Sequence, residues 1–427
     1  MVTKSLRKFN MLNQRVFLIF SIIILAAKIG YSIFKGFPGG TYEDWDIAQN
    51  LVKYGVYSEF IYIGPTAYKL PAYSLFLSFF IWLFGDFAKE VVVIIQHLIL
   101  FFVPLQIIGV FRVFNKTPAG ILAGYFFIFS PFYFYYSNVL EITNIFIPVF
   151  LLWIHQYLRI YKSRAASKTD ILLLGGITGV LFLTQVIVVP LVLVLIAGMF
   201  FQRRIRLSAT VLMLGTAAMV YSPWVIRNYV AFDKVILTKT PFWQNIYLSL
   251  IPPVNVLDSV KLISAEHDLY TFQLRKTVDE FEMEKIYKTE VLRVLEDREE
   301  VFVVKALQNA GLLWYVPTRY FYDNSAGVAA RKIFVILLNL ITLFAMFHLW
   351  RRYRLLFWVS LLVFGAFTAP YMIGHAANMR FKLDFEWFQY SLVALFLYER
   401  ISLLRKNKGV TRKVAAQSPA KPESGNR

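Results

Sequence analysis

Three carboxylates and a lysine crowd one short stretch: Glu43, Asp44 and Asp46 within residues 41–54, then Lys69 in Pro65-Thr-Ala-Tyr-Lys-Leu-Pro-Ala-Tyr73. Clustered carboxylates repel, which raises the proton affinity of at least one, and a carboxylate of that kind can take the proton of a hydroxyl as a general base. If 43–54 is helical, Glu43 and Asp46 share a face and Asp44 points elsewhere. The plainer account is that acids at a helix start favour its positive end. Lys69, on a proline-punctuated turn, can snorkel along the membrane surface or hold an anionic headgroup there. Tyr68 beside it is a candidate for a supporting or acceptor contact.

The rest of the chain decides where these groups stand. Of 427 residues, 58% are hydrophobic, 18% aromatic and only 17% charged, which excludes an ordinary soluble domain and identifies an integral membrane protein. Segments of roughly 17–25 apolar residues can cross a bilayer as helices. Ten such segments lie near 16–35, 90–112, 117–137, 142–161, 170–185, 187–202, 207–225, 330–349, 355–373 and 385–402. The first is too long, and lacks the small-residue cleavage site, for a removed signal peptide, so it is expected to stay as an anchor.

Basic residues fall at alternate connectors, Arg112/Lys116, Arg159 to Lys168, Arg203–Arg206 and Arg351–Arg354, and at both ends of the chain. The net charge of +19 is therefore read as an orientation signal rather than a nucleic-acid surface, with both termini cytoplasmic. Residues 74–84 are apolar but short, and counting them as a crossing would put every later basic cluster outside. The reading is an interfacial helix within an outer loop, 36–89. The expected organisation is a seven-span core over 1–225, an outer loop with amphipathic helices over 226–329, three spans over 330–402, and a basic disordered tail over 403–427. Within the second loop, apolar positions 274, 278, 281, 287, 291 and 295 recur at helical spacing, predicting a cap over the bundle.

Further outer-side cations then stand out, because positive charge there runs against the charge bias. They are Arg227, in Pro223-Trp-Val-Ile-Arg-Asn228, and Arg380 and Lys382 before the last span; an anionic ligand such as a phosphate accounts for them. Asn228 joins them as a supporting residue. Glu141 falls where the chain barely leaves the bilayer, and ionisable groups at that depth face a cavity or a partner. Tyr133, Tyr135 and Tyr136 read as an interfacial aromatic belt. There is no phosphate-cradling glycine loop, no His-Glu-x-x-His, no Gly-x-Ser-x-Gly, no cysteine and only five histidines. ATP-driven transport, zinc hydrolysis and disulfide scaffolds lack their parts.

Several pieces in order resemble the GT-C membrane glycosyltransferases that use polyprenyl-phosphate sugars. The resemblance is to the branch with protein O-mannosyltransferases, aminoarabinose transferases and lipopolysaccharide-core sugar transferases. The pieces are Ile47-Ala-Gln-Asn-Leu51 with Gly55-Val-Tyr57, the 65–73 segment with Leu83-Phe-Gly-Asp86, Ser130-Pro131 followed by Glu141, Pro223–Asn228, and Met379-Arg-Phe-Lys382 with Glu386.

The resemblance implies an all-α fold with about ten spans and a polyprenyl-phosphate sugar docked between the bundle and the first outer loop. An acid on that loop would be the base or position the acceptor, and transfer to a lipid, glycan or protein hydroxyl would be inverting. Many relatives carry the acid at the position occupied here by Gly40, and some at that of Glu43, so the base stays open among three residues, with Asp44 and Glu43 ranked above Asp46. The donor phosphate would meet Lys69, Arg227, Arg380 and Lys382. No metal or other cofactor is expected, although clustered carboxylates can hold Mg²⁺ or Mn²⁺. Parts of the family carry a sizeable soluble C-terminal domain; acceptor recognition is expected here from 36–89 and 226–329. The competing readings are a flippase or transporter of lipid-linked sugars, in which intramembrane charge would mark the pathway, and an inactive scaffold binding lipid phosphate.

Overall fold

The apolar segments between basic connectors fold as helices, because in lipid every backbone N–H and C=O must find its partner within the segment. The computed structural model describes residues 12–37, 41–163, 166–251, 263–297, 299–317, 320–374 and 378–416, and among them the regular structure is all helical. The first half contains α1 (Gln14–Lys35), α2 (Glu43–Tyr54), α3 (Pro71–Phe84), α4 (Ala88–Val113), α5 (Thr117–Ile128), α6 (Pro131–Tyr136), α7 (Thr143–Lys162), α8 (Lys168–Thr184), α9 (Val189–Phe201) and α10 (Leu207–Phe232). The second contains α11 (Gln244–Leu248), α12 (Ala265–Leu274), α13 (Glu280–Asp297), α14 (Glu299–Trp314), α15 (Ala326–Arg352), α16 (Arg354–Ile373) and α17 (Arg380–Ala416).

Each of the ten expected segments coincides with helix, and among the described residues five stretches are long and apolar enough to cross a membrane: α1, α3 with α4, α10, α15 and α16. Of the others, α7 and α17 are long enough but less apolar or more charged, and the rest are shorter or broken. Pro131 interrupts the third segment, separating α5 from α6. The thirteen residues of α9 reach only about 20 Å, short of a hydrocarbon core of about 30 Å. Helix α3 begins at Pro71, where proline is favoured because its missing N–H would have no partner in a first turn. It meets α4 through a three-residue 3₁₀ turn at Gly85, whose φ of +54° suits glycine.

Small residues let three pairs of helices close up. Gly120 and Gly124 of α5 lie against Phe111 of α4 and Phe17 of α1, and Gly175 and Gly179 of α8 lie against Met213 and Val220 of α10. A buried ion pair, Arg331 to Glu386 at 2.9 Å, ties α15 to α17. At the other end of α17, Glu399 accepts from Lys116, His348 and Tyr353 at 2.6–2.9 Å. Between α4, α7, α9, α16 and α17 lies an apolar cavity of about 700 Å³, lined by Phe111, Trp153, Leu195, Leu362 and Phe388.

Two expectations need correction. Residues 403–416 continue α17 instead of opening a disordered tail, since most of them are good helix formers; 417–427 lie outside the described residues. Tyr133 and Tyr136 are buried rather than belonging to an interfacial belt. Tyr133 donates to Leu383 O at 2.6 Å and accepts from Trp387 N at 3.0 Å, while Tyr136 donates to Asn378 Oδ1 at 2.9 Å, so α6 is fastened to the start of α17. Tyr135 is exposed. In the second loop, α13 turns Met283, Tyr287, Val291 and Val294 onto Ile246, Tyr247 and Leu250, forming a small core separate from the bundle's.

Candidate active site

The acids of α2 stand at its first turn, and Gly55 in the left-handed region (φ +70°) closes the helix with its N–H on Leu51 O. Asp44 points inward and is 6% exposed, while Asp46 points to solvent. Asp44 Oδ1 accepts from Ser74 Oγ of α3 at 2.8 Å. The Tyr57 hydroxyl reaches Ser74 Oγ at 3.2 Å and Lys69 O at 3.1 Å, so a hydroxyl chain orients the carboxylate. The Lys69 ammonium lies 3.4 Å from Glu43 Oε2 and 3.8 Å from Asp44 Oδ2.

The charges follow from this placement. Burial disfavours the ionised form of Glu43, but Lys69, the Glu43 backbone N–H and Arg275 outweigh it and hold the carboxyl below its usual range. Burial likewise opposes a charged Lys69, yet Asp44 and Glu43 raise it, so it stays protonated. Asp46 is pushed up by partial burial and by the charge of Glu43, and makes no ion pair among the described residues.

Helix α17 brings a second ion pair to the same place. Arg380 pairs with Glu141, which ends the short connection between α6 and α7. One turn further along α17, the carboxylate of buried Asp384 accepts from Thr143 Oγ1 at 2.8 Å. Glu141 is raised by burial, against the pull of Arg380 and then Lys69, and it also feels Asp44 and Glu43. The two pairs are therefore close enough to feel one another's charge, and the place they occupy is here called the recess. Among the described residues, no three acidic or histidine side chains converge closely enough to hold a metal ion.

The structure does not bring Arg227, Asn228 or Lys382 into that recess. Arg227 donates to Thr66 O at 2.7 Å and Tyr57 O at 2.9 Å, and lies about 5 Å from the rings of Tyr57, Trp224 and Phe232. Asn228 accepts from Arg227 and donates to Ile236 O at 3.1 Å. Arg227 fastens the loop that carries Lys69, and Asn228 fastens the connection that follows α10, so their polarity serves backbone carbonyls rather than a ligand. Lys382 is two residues from Arg380, almost the opposite face of a helix, and its ammonium sits 3.7 Å above the Trp314 ring. Tyr68 is sandwiched between Arg275, 4.2 Å from its ring centre, and Lys69 at 5.3 Å.

Sequence reasoning missed the residues that hold the loop from outside. Glu280 at the start of α13 accepts from Thr66 Oγ1 at 2.6 Å and from Ala67 N at 2.9–3.0 Å, and Arg275 pairs with Glu59. It also missed Lys239, which shares the electrostatic surroundings of Lys69, Arg380, Asp44 and Glu43. The signal that singled out Arg227, a cation in an outer connection, was present at Lys239 as well. Gly40 lies outside the described residues.

No family model matches this chain, and no curated protein sequence matches it. Solved structures do. Over 94% of this chain and 52% of the other, the fold superposes on the archaeal oligosaccharyltransferase AglB from Archaeoglobus fulgidus, in complex with an inhibitory peptide and a dolichol-phosphate, with TM-score 0.54 and 14% identity. An oligosaccharyltransferase of the same organism in the apo form gives 0.53 and 12%, over 95% and 53%. The chain thus spans about half the length of these enzymes. ArnT from Cupriavidus metallidurans bound to undecaprenyl phosphate aligns over 96% and 81% of the two chains at 10% identity, but its TM-score of 0.39 carries no weight. The chain therefore shares its fold with about half of each of these two solved oligosaccharyltransferase structures.

Proposed function

We propose that this protein is a membrane glycosyltransferase that moves a sugar from a polyprenyl-phosphate donor to a hydroxyl of an envelope lipid, glycan or protein on the extracytoplasmic face, with inversion. The observation that carries the reading is the recess itself: a carboxylate oriented by Ser74 and Tyr57 faces the Lys69 and Arg380 cations at one end of an apolar bundle. The basic connectors support a cytoplasmic location for both termini and an outward-facing recess.

The chemistry needs few parts. Asp44 takes the proton of the acceptor hydroxyl as its oxygen bonds to the anomeric carbon. The bond from that carbon to the phosphate oxygen breaks, and its electron pair stays on the departing lipid phosphate. Fixed cations lower the barrier by meeting the charge where it develops. Glu43 keeps Lys69 in place, and Glu141 does the same for Arg380. About 10 Å further along α17, Trp387 begins the lining of the apolar cavity, which offers room for a prenyl chain below its phosphate.

The experiment is transfer of radiolabelled sugar from polyprenyl-phosphate donors to envelope extract by purified protein. The reading expects label in an acceptor with the wild type and none with Asp44→Ala or Asp44→Asn. Labelled lipid crossing a vesicle membrane without any transfer would replace the enzyme with a flippase.

A further inference from the structure

The apolar cavity between α4, α7, α9, α16 and α17 ends, away from the recess, among cations. Its inner wall is built from buried Phe150, Trp153 and Leu392, while Leu355 and Trp358 on its rim are exposed. Along α7 the lining runs from Phe150 to Tyr161, about 16 Å, or half of a hydrocarbon core of about 30 Å. Lys116 and Arg354 line the far end themselves. Two more cations lie over aromatic rings of that lining: Arg204 is 4.8 Å from the ring centre of Tyr161, and Lys162 is 5.0 Å from that of Phe114. Lys116 is held by Glu399 at 2.9 Å, whereas Arg354, Arg204 and Lys162 are exposed and make no ion pair among the described residues.

We infer that this end of the cavity binds an anionic phospholipid of the inner leaflet, with its phosphate among Arg354, Arg204, Lys162 and Lys116 and one acyl chain in the cavity. The leaflet rests on the topology proposed above; the binding does not. Charge bias accounts for basic residues in any connection on that side of the bundle. It does not account for four of them, from the connections after α4, α7, α9 and α15, meeting around one apolar opening. The depth of that opening is that of a single leaflet, so a chain fits it while the headgroup stays at the surface.

Position separates this seat from the donor's phosphate. Glu399, which holds Lys116, stands about 28 Å along α17 from Arg380, nearly the thickness of a hydrocarbon core. One phosphate cannot reach both ends. The donor's prenyl chain comes from the opposite side, and a chain long enough to pass Trp387 displaces the acyl chain from the space they share.

The test is titration of the full-length protein in detergent with phosphatidylglycerol bearing brominated acyl chains, read as quenching of tryptophan fluorescence. Phosphatidylcholine with the same chains is the zwitterionic control. Trp153 and Trp387 line the cavity and are buried, so a chain must enter to quench them. Saturable quenching by phosphatidylglycerol is expected, and it should shrink in Trp153→Phe. Arg354→Gln combined with Arg204→Gln is expected to weaken phosphatidylglycerol roughly 25-fold, about fivefold for each charge, and to leave phosphatidylcholine unchanged. Gly198 also lines the cavity, and an added Cβ there meets nothing within 4 Å, so Gly198→Leu fills the space without a clash and should abolish the saturable quenching. Equal affinity for the two phospholipids overturns the inference, as does quenching undiminished in Gly198→Leu or an anionic preference that persists in the double variant. Each of these results leaves the transferase reading standing, because Asp44, Lys69 and Arg380 are untouched.

Discussion

Replacing Ser74 by alanine tests how the recess works without touching a charged group. Asp44 is almost fully buried and has, among the described residues, two side-chain partners: Ser74 Oγ at 2.8 Å and the Lys69 ammonium at the longer distance of 3.8 Å. Ser74 donates a hydrogen bond to Asp44, and its oxygen is within reach of the Tyr57 hydroxyl behind it. The variant removes the shorter contact and leaves Lys69 free to pull the carboxylate round. Hydrogen bonds to charged groups contribute about 1.5–3 kcal/mol, and each 1.36 kcal/mol withheld from a transition state is about tenfold in rate. Ser74→Ala should therefore lower single-turnover transfer by about 10- to 150-fold. The donor KM should hardly move, because the cations that meet the phosphate are intact. Ser74→Thr, which keeps the hydroxyl, should recover most of the rate. The assay is rapid-quench transfer from a labelled polyprenyl-phosphate sugar at saturating donor. A Ser74→Ala rate within twofold of wild type, with Asp44→Ala inactive, would refute the claim that Ser74 sets the base. A loss confined to KM would refute it equally.

Three further outcomes follow from described contacts. Burial, opposed by the Thr66 and Ala67 hydrogen bonds, raises Glu280 from 4.5 to about 7, so the folded protein holds that proton more tightly than the unfolded chain. Its contribution is full below about pH 4.5 and is lost as pH rises through 7. Hydrogen exchange across 57–69 should then be slower at pH 6 than at pH 8 after correction for intrinsic rates, and Glu280→Gln should flatten that difference; an unchanged difference in the variant rules the account out. At Gly175, an added Cβ would stand 2.5 Å from Met213 O. Gly175→Ala should cost about 1–3 kcal/mol in detergent unfolding while molecules that remain folded keep their transfer rate, and a neutral substitution would mean that α8 and α10 are not in close contact. Arg227→Ala strips the loop of two backbone contacts and an aromatic cage, and should speed proteolysis within 57–69 more than it weakens donor binding; the reverse order would restore Arg227 as a phosphate ligand.

Local features were readable from the sequence, and long-range ones only by kind. Helix α2 falls on 43–54 as the acids at its start and Gly55 at its end imply. Helix α3 begins three residues earlier than the expected 74–84 because Pro71 fits a first turn. That cations stand near the acids followed from topology, but which cations did not. Arg227 and Lys239 look alike in a sequence: both are basic residues in segments read as outer from the charge bias, and only the fold reveals that one is spent on carbonyls and aromatic rings. Lys382 misled for a helical reason, since it neighbours Arg380 in sequence and opposes it in space. The Arg380–Glu141 pair joins residues brought together by the packing of α17 against the connection before α7, and no local pattern records that meeting.

The loop bearing Lys69 is grasped from two directions, by Arg227 from the bundle and by Glu280 and Arg275 from the outer cap. Since Glu280 takes Thr66 and Ala67, and Lys69 follows two residues later, any tilt of α13 arrives at the ammonium and then at Asp44. The helical segment 265–297 is thereby a lever on the loop. On the proposed transferase reading, an acceptor that shifted it on docking would set the alignment of a base it never touches.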